Sequence, residues 1–329
     1  MSGSFVPSSR SPGAATSSPG REGRLSQRGR GSSAVGWLLL LTPILWGATF
    51  PAAKVGLEVI GVLPFTFWTR AFGFLTILLA LPWLARGQVS LEAVRRIALP
   101  GLLLGSLIFG AYLLQTYGLA RTTATNAGFI TGLYVVFVPL LGLAVFRRRV
   151  GAAMWLVVAV SVLGLMLLSI PGLDDIRPRF GDLLVLASAV AWAGHVVTVG
   201  HYAERHSTLL LSGAQMFWTA LLHLVVVIPV GLRPAGALEV WPMLLVTGVL
   251  GTGVAYTLQI VAQKQMTAAR AVVILAGESV ASAAFSFAFI GERLEAHQWV
   301  GAVLVLLAMA ASELRARRTD LEAEAAAPT

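Results

Sequence analysis

Ten times along the chain a run of about twenty apolar residues gives way to a short polar connection. The runs fall at residues 35–53, 63–85, 97–117, 122–146, 152–170, 181–200, 209–232, 241–262, 268–290 and 296–312. At about 1.5 Å per residue, each is long enough to cross a hydrocarbon layer about 30 Å thick as an α-helix. The pattern predicts an all-α integral membrane protein with ten transmembrane helices. Residues 1–33 are mostly Ser, Gly, Pro and Arg, a composition that buries too little surface to offset the entropy of ordering, so a disordered cytoplasmic tail is expected there. A second cytoplasmic tail is expected at residues 314–329.

Composition agrees with the pattern. The 329 residues are 57% hydrophobic and 12% charged, with a mean hydropathy of +0.80, against about 25% charged residues in soluble domains. There is no cysteine, which excludes disulfides and thiolate metal sites. The net charge of +9 raises the question of nucleic acid, and its distribution answers it. With a cytoplasmic N-terminus, twelve Lys and Arg fall on the inner side, from Arg86, Arg95 and Arg96 through Arg147–Arg149, Arg205, Lys264 and Arg270 to Arg315, Arg317 and Arg318. Six fall outside: Lys54, Arg121, Arg177, Arg179, Arg233 and Arg293, with the acidic Asp174 and Asp175 beside them. The excess is topological, placing both termini in the cytoplasm of a cell (plasma or inner) membrane, and no nucleic-acid partner is expected.

The chain also repeats itself. "AYLLQTYGLARTTA" (111–124) and "AYTLQIVAQKQMTA" (255–268) share Ala, Tyr, Leu, Gln, Thr and Ala at identical offsets, 144 positions apart. The same shift sets Trp155 on Trp299 and "RRRV" (147–150) on "GERL" (291–294), and a shift of 146 sets Trp46 on Trp192. Two units result, residues 34–171 and 180–313, with five spans each. Because five is odd, the second unit enters the membrane upside down. Inverted repeats let two half-structures rock about a midplane site, which is how secondary transporters alternate access.

Four segments carry a family resemblance: "WGATFPAAK" (46–54), "TTATNAGFITGLYVVFVPLLG" (122–142), "GDLLVLASAVAWA" (181–193) and "GESVASAAFSFAFIGERL" (277–294). Together they resemble the drug/metabolite transporter superfamily, EamA type, over residues 35–312. The resemblance implies ten helices in two inverted five-helix repeats and movement of a small metabolite or drug. This chain departs from the family pattern in two places. "RRRV" stands where the first half would carry a Gly-Glu-Arg-Leu-like turn, and Ser279 replaces a Pro that often follows the ninth-helix Glu.

Candidate chemistry lies where polar residues interrupt the apolar runs. Glu278 sits about ten residues into its span, near mid-membrane, where a carboxylate is costly unless it faces the bundle interior or a wet cavity. Facing a central cavity it is a substrate anchor or proton-coupling group; the bland alternative is a protonated Glu donating one interhelical hydrogen bond. Its repeat mate is Tyr134. Tyr112 with Gln115, and Tyr256 with Gln259, are pairs three residues apart on one helix face, suited to lining a pocket or to bonding between helices. Pro51 in "TPILWGATFP" predicts an interruption of the first helix, flanked by Trp46 and Phe50. His195, beside an expected break at residues 192–194, is a proton relay or a satisfied structural histidine, as is the lone His223. Arg70, near the outer end of the second helix, either snorkels to the interface or closes an outer gate with an acid. "GLLLG" (101–105) and "GFITG" (128–132) are assigned to close helix packing.

Other function classes leave no mark. There is no Gly-Lys-Ser/Thr phosphate loop, no Gly-x-Ser-x-Gly and no His-Glu-x-x-His, and no His, Asp and Glu spacing suits a metal. The expectation is a secondary transporter, not an enzyme, without a cofactor, with a small-molecule substrate, lipid and protons as partners. A membrane enzyme and a non-transporting scaffold or sensor are the alternatives. The terminal helices are free to pack in a homodimer or to face lipid.

Overall fold

A computed structural model describes residues 22–84, 89–147, 150–169 and 179–325. Most of the expected N-terminal tail lies outside these residues, as do Arg86, Arg148, Arg149, Asp174, Asp175 and Arg177 from the charge count.

The first three spans are α1 (Glu22–Ile60), α2 (Val62–Leu84) and α3 (Leu91–Leu119). The fourth is split into α4 (Ala124–Gly132) and α5 (Tyr134–Phe146), and the fifth is α6 (Ala152–Ser169). In the second half, α7 (Phe180–Tyr202) and α8 (Thr208–Val227) are followed by a short α9 (Pro234–Glu239), which occupies part of what the sequence marks as a connection. The eighth span joins α10 (Trp241–Leu244), a π-helical segment (Leu245–Val254) and α11 (Ala255–Gln263). The ninth is split into α12 (Ala268–Leu275) and α13 (Glu278–Ile290), and the tenth lies within α14 (Ala296–Ala325). Among the described residues, nine spans are long and apolar enough to cross a membrane; the tenth, apolar over Ala152–Leu168, is shorter. Helices satisfy every backbone group internally, which hydrocarbon demands.

Polarity is arranged for lipid. Leu79, Trp83, Leu156, Val225 and Phe289 point outward, whereas Thr42, Thr219, Gln215, Gln259, His195, His223, Arg70 and Glu278 are buried. The helix contacts obey an exchange of first and sixth spans, second and seventh, third and eighth, fourth and ninth, fifth and tenth. Thus α3 packs on α7 as α1 packs on the π-helical segment and α11, and α3 packs on α8 as α2 packs on the π-helical segment. The pairs α2–α8 and α6–α14 map onto themselves, and α4–α13 maps onto α5–α12, which is also in contact. Ten spans in two exchange-related halves of five make the repeats inverted.

Small residues set the close approaches. A Cβ on Gly101 would come 2.5 Å from the Ala214 Cβ, one on Gly105 2.6 Å from the Trp218 Cβ, and those on Gly128 and Gly132 would meet the Ser282 and Ser279 hydroxyls at 2.8 and 2.5 Å. Both small-residue motifs therefore are packing surfaces. Local signals repeat with the helices. Thr123 caps α4 by accepting from Asn126 N at 3.0 Å, and its mate Thr267 caps α12 by accepting from Arg270 N at 3.3 Å. Gly291 ends α13 in the left-handed region (φ 73°), and its mate Arg147 ends α5 there too (φ 53°). The Arg in "RRRV" thus keeps the turn geometry at a steric cost that glycine avoids.

Four expectations need correction. The first helix is not interrupted: α1 runs through Pro43 and Pro51 without a break. Loss of one hydrogen bond is tolerated there because Gly47 seats the helix directly against α13. The sixth span has no break at residues 192–194, since α7 is continuous. The interruptions lie instead at Leu133 and at Ala276 and Gly277, equivalent positions in the two repeats. The first span also extends further than its apolar run, to Ile60, carrying Lys54 and Glu58 inside the helix. Finally, Arg70 does not snorkel and has no acid partner among the described residues; it is 1% exposed.

Candidate functional site

The two interruptions build the centre of the molecule. At the first, Leu133 N donates to Ile130 O (3.2 Å) and Val136 N to Leu133 O (3.0 Å). At the second, Gly277 N donates to Ile274 O (3.1 Å) and Ser279 N to Ala276 O (3.2 Å). These three-residue steps tighten the helix and redirect the half that follows. A Cβ at Gly277 would lie 2.7 Å from the Met309 sulfur, so any larger residue there has to push the end of that methionine aside. Tyr134 is the first residue of α5 and Glu278 the first of α13, so each break delivers one polar side chain to the middle of the bundle. The Ser279 hydroxyl donates to Gly128 O at 2.7 Å and that of Ser282 to Ala124 O at 3.3 Å, clamping the two broken spans together.

Around them lies a cavity of about 390 Å³. Its wall contains Trp46, Phe50, Tyr112, Gln115, Tyr134, His195, Tyr256, Gln259 and Glu278, every midplane residue singled out in the sequence, together with Thr49, Thr131, Trp192 and Val196. The aromatic rings are paired by the same exchange as the helices. Trp46 meets Tyr256 at 5.0 Å between centroids and Trp192 meets Tyr112 at 5.0 Å, while Trp192 and Tyr256 join the pairs at 6.1 Å. Bonding breaks the symmetry. Trp46 Nε1 donates to Gly251 O (2.9 Å), a carbonyl of the π-helical segment, but Trp192 Nε1 has no protein partner. Gln115 Nε2 donates to Thr131 Oγ1 (2.8 Å), whereas both amide atoms of Gln259 are unpaired.

Buried polar atoms without a partner are uncommon in folded proteins, yet they gather here. The Tyr134 hydroxyl and Glu278 carboxyl are neighbours that interact electrostatically and within hydrogen-bonding reach, although Tyr134 Oη and Glu278 Oε1 lack a well-formed partner. His195 pairs Nε2 with Gln215 Oε1 at 3.0 Å and leaves Nδ1 free. His223 is outside the wall, holding Thr219 O with Nδ1 at 2.7 Å and packing edgewise on Phe109.

A second cavity of about 380 Å³ adjoins the first through Thr49, Phe50, Tyr112 and Gln115. Arg70 lines it, with its guanidinium carbon 3.4 Å from the centroid of the Tyr112 ring. Toward that end of the bundle, Lys54 Nζ donates to Leu119 O (3.0 Å) and Thr122 O (2.8 Å), and the Thr122 hydroxyl donates to Asp182 (2.7 Å). Glu292 accepts from the N–H groups of Ala124 and Thr125 and from the Thr125 hydroxyl, capping α4 from α13's far end. At the opposite end, Gln263 Nε2 donates to Val196 O (2.9 Å) and Phe146 stacks on His201. There burial holds the Lys264 ammonium below its usual range, and burial, then Arg205 and Lys264, lower His206.

Sequence reasoning passed over Thr49, Thr131 and Val196, and noted Trp192 only as a repeat marker and as the edge of an expected break. A 144-residue projection of the second-half motif would have flagged the turn at Leu133 once Gly277 was known to be one. Nothing in composition marks the π-helical segment except Gly248, Gly251 and Gly253, whose missing side chains admit Phe72, Thr49 and Thr76.

An inverted ten-span bundle with a polar chamber between its halves is the architecture of a membrane transporter. The chain belongs to the EamA-like transporter family, whose model matches residues 34–170 and 179–312. It is 31% identical over 281 residues to an "uncharacterized transporter" of Archaeoglobus fulgidus, covering 84% of this chain and 85% of that one. A second "uncharacterized transporter", of Methanothermobacter thermautotrophicus, is 26% identical over 201 residues, 60% of this chain and 58% of that one. A solved crystal structure shares the fold at a TM-score of 0.68 with 20% identity, covering 87% of this chain and 99% of that chain.

Proposed function

We propose that this multi-pass membrane protein is a secondary transporter that moves a small metabolite or drug through the central chamber by alternating access. We assign Glu278 as the residue that anchors substrate or couples transport to protons. The observation that carries this reading is the chamber wall: mirrored residues of two inverted repeats meet there, and each broken span contributes its first polar side chain after the break. A carboxyl that is 4% exposed, with an oxygen lacking any protein partner, suits a group whose partner is the substrate or a proton. Orphan groups on Tyr134, Trp192, His195 and Gln259 suit a polar ligand of modest size, and the four aromatic rings suit its flat or cationic portion. The Lys and Arg asymmetry supports cytoplasmic termini in the cell membrane.

The test is reconstitution into liposomes with an imposed pH gradient and a panel of labelled metabolites. Gradient-responsive movement of at least one compound is expected in the native protein, with the gradient response lost in Glu278→Gln. A Glu278→Gln protein that transports normally with unchanged proton dependence refutes the role of Glu278. Conversion of a compound into a product refutes transport as the activity.

A further inference from the structure

Arg70 is a full-length cation buried in the bundle without a counter-ion among the described residues. Its Nε and Nη1 reach no hydrogen-bond acceptor, and among the described residues no carboxylate pairs with it. The Tyr112 ring covers one flat face of the guanidinium at 3.4 Å, which stabilises the charge but accepts none of its in-plane N–H groups. The threonine hydroxyls around it donate to backbone carbonyls, and none of them accepts from Nε or Nη1. Thr49 donates to Trp46 O, Thr66 to Val62 O and Leu63 O, Thr69 to Thr66 O and Thr247 to Met243 O. A buried arginine that lines a cavity and keeps unpaired in-plane N–H groups is a set of fixed donors for an oxyanion.

We propose that Arg70 binds the carboxylate of the transported molecule, making the second cavity the anion-binding end of the chamber. The inference rests on the transporter reading above and narrows its substrate to molecules carrying a carboxylate. Charge balance selects that group. Among the described residues Arg70 is the only Lys or Arg lining either cavity, so a single negative charge is neutralised, whereas a phosphate monoester would leave a second charge uncompensated in a low-dielectric site. Phe50 and Tyr112 belong to both cavities, so a ligand held at Arg70 lays its apolar body along them toward the Glu278 end.

The experiment measures binding without a gradient. Native protein in lipid nanodiscs is titrated calorimetrically with small carboxylic acids, among them 3-phenylpropionate and 4-aminobutyrate, each beside its primary amide. At least one acid is expected to bind about thirtyfold or more tighter than its amide. That preference should vanish in Arg70→Gln and survive in part in Arg70→Lys, which keeps the charge and loses the fork. The proposal falls if no acid outbinds its amide in the native protein, a comparison that needs no variant to fold. It also falls if the preference persists in Arg70→Gln. Acid binding without movement in liposomes overturns the transporter reading and leaves the anion site standing; gradient-driven movement of compounds lacking an anionic group does the reverse.

Discussion

Adding one methyl group at Gly47 tests whether the first and ninth spans meet as described. A Cβ there would lie 2.3 Å from the Ala281 Cβ, 2.7 Å from Ser282 N and 2.8 Å from the Ala281 carbonyl carbon. Two of the three are backbone atoms of α13, so no rotamer change relieves them, and α1 must move away by a large fraction of an ångström. Overpacking of this kind costs about 1–3 kcal/mol, roughly a five- to 150-fold shift in an unfolding equilibrium at 1.4 kcal/mol per factor of ten. Reversible unfolding in mixed micelles with increasing SDS reads that loss directly. Ala281→Gly in the same molecule removes the closest contact but not the one at Ser282 N, so Gly47→Ala with Ala281→Gly should recover part of the loss and not all of it. Gly110→Ala is the control, since nothing lies within 4 Å of its added Cβ, and it should unfold no more readily than the native protein. If Gly47→Ala is as stable as Gly110→Ala, or if Ala281→Gly leaves its cost unchanged, α1 and α13 are not in contact and the chamber wall is wrongly drawn.

Two further outcomes follow from single residues. Arg147→Gly should stabilise the protein by about 0.5–1 kcal/mol in the same titration, because it relieves a left-handed residue at a helix end while loosening the unfolded chain; a loss of stability would mean that Arg147 makes a compensating contact. His206 is held below its ordinary value of 6.5, first by burial and then by Arg205 and Lys264, so the unfolded chain takes up its proton first and stability falls as pH drops through 6.5. His206→Gln should flatten that fall, as read by unfolding midpoints from pH 7.5 to 5, and identical profiles for the two proteins would remove His206 as a contributor.

Much of the site is legible in the sequence because a polar residue inside a twenty-residue apolar run has few places to go. Glu278, His195 and the Tyr–Gln pairs had either to face one another or to face lipid, and lipid is the costlier choice. The internal repeat then supplies partners across the axis, pairing Tyr134 with Glu278 at a shift of 144 and Trp46 with Trp192 at a shift of 146. Proline was a poorer guide. Pro51 loses a hydrogen bond but sits where α1 is pressed against α13, whereas the actual breaks fall at Leu133 and at Ala276 and Gly277, of which only the glycine disfavours a helix. The turn at Leu133 has no such local signal and is visible only through its repeat mate. Arg70 misled through depth: α2 begins at Val62, so the arginine stands about 12 Å along its helix, with its head drawn onto Tyr112 instead of toward water.

The paired turns have a mechanical corollary. Each is a joint with a polar residue set at the joint itself, and beyond it α5 and α13 extend thirteen residues each, arms about 20 Å long. A tilt of about 10° at such a joint swings the far tip by about 3.5 Å, the width of an atomic contact, while the residue at the fulcrum barely travels. Tyr134 and Glu278 would therefore stay in place under such a tilt while the far ends of α5 and α13, the latter leading to Glu292, travel.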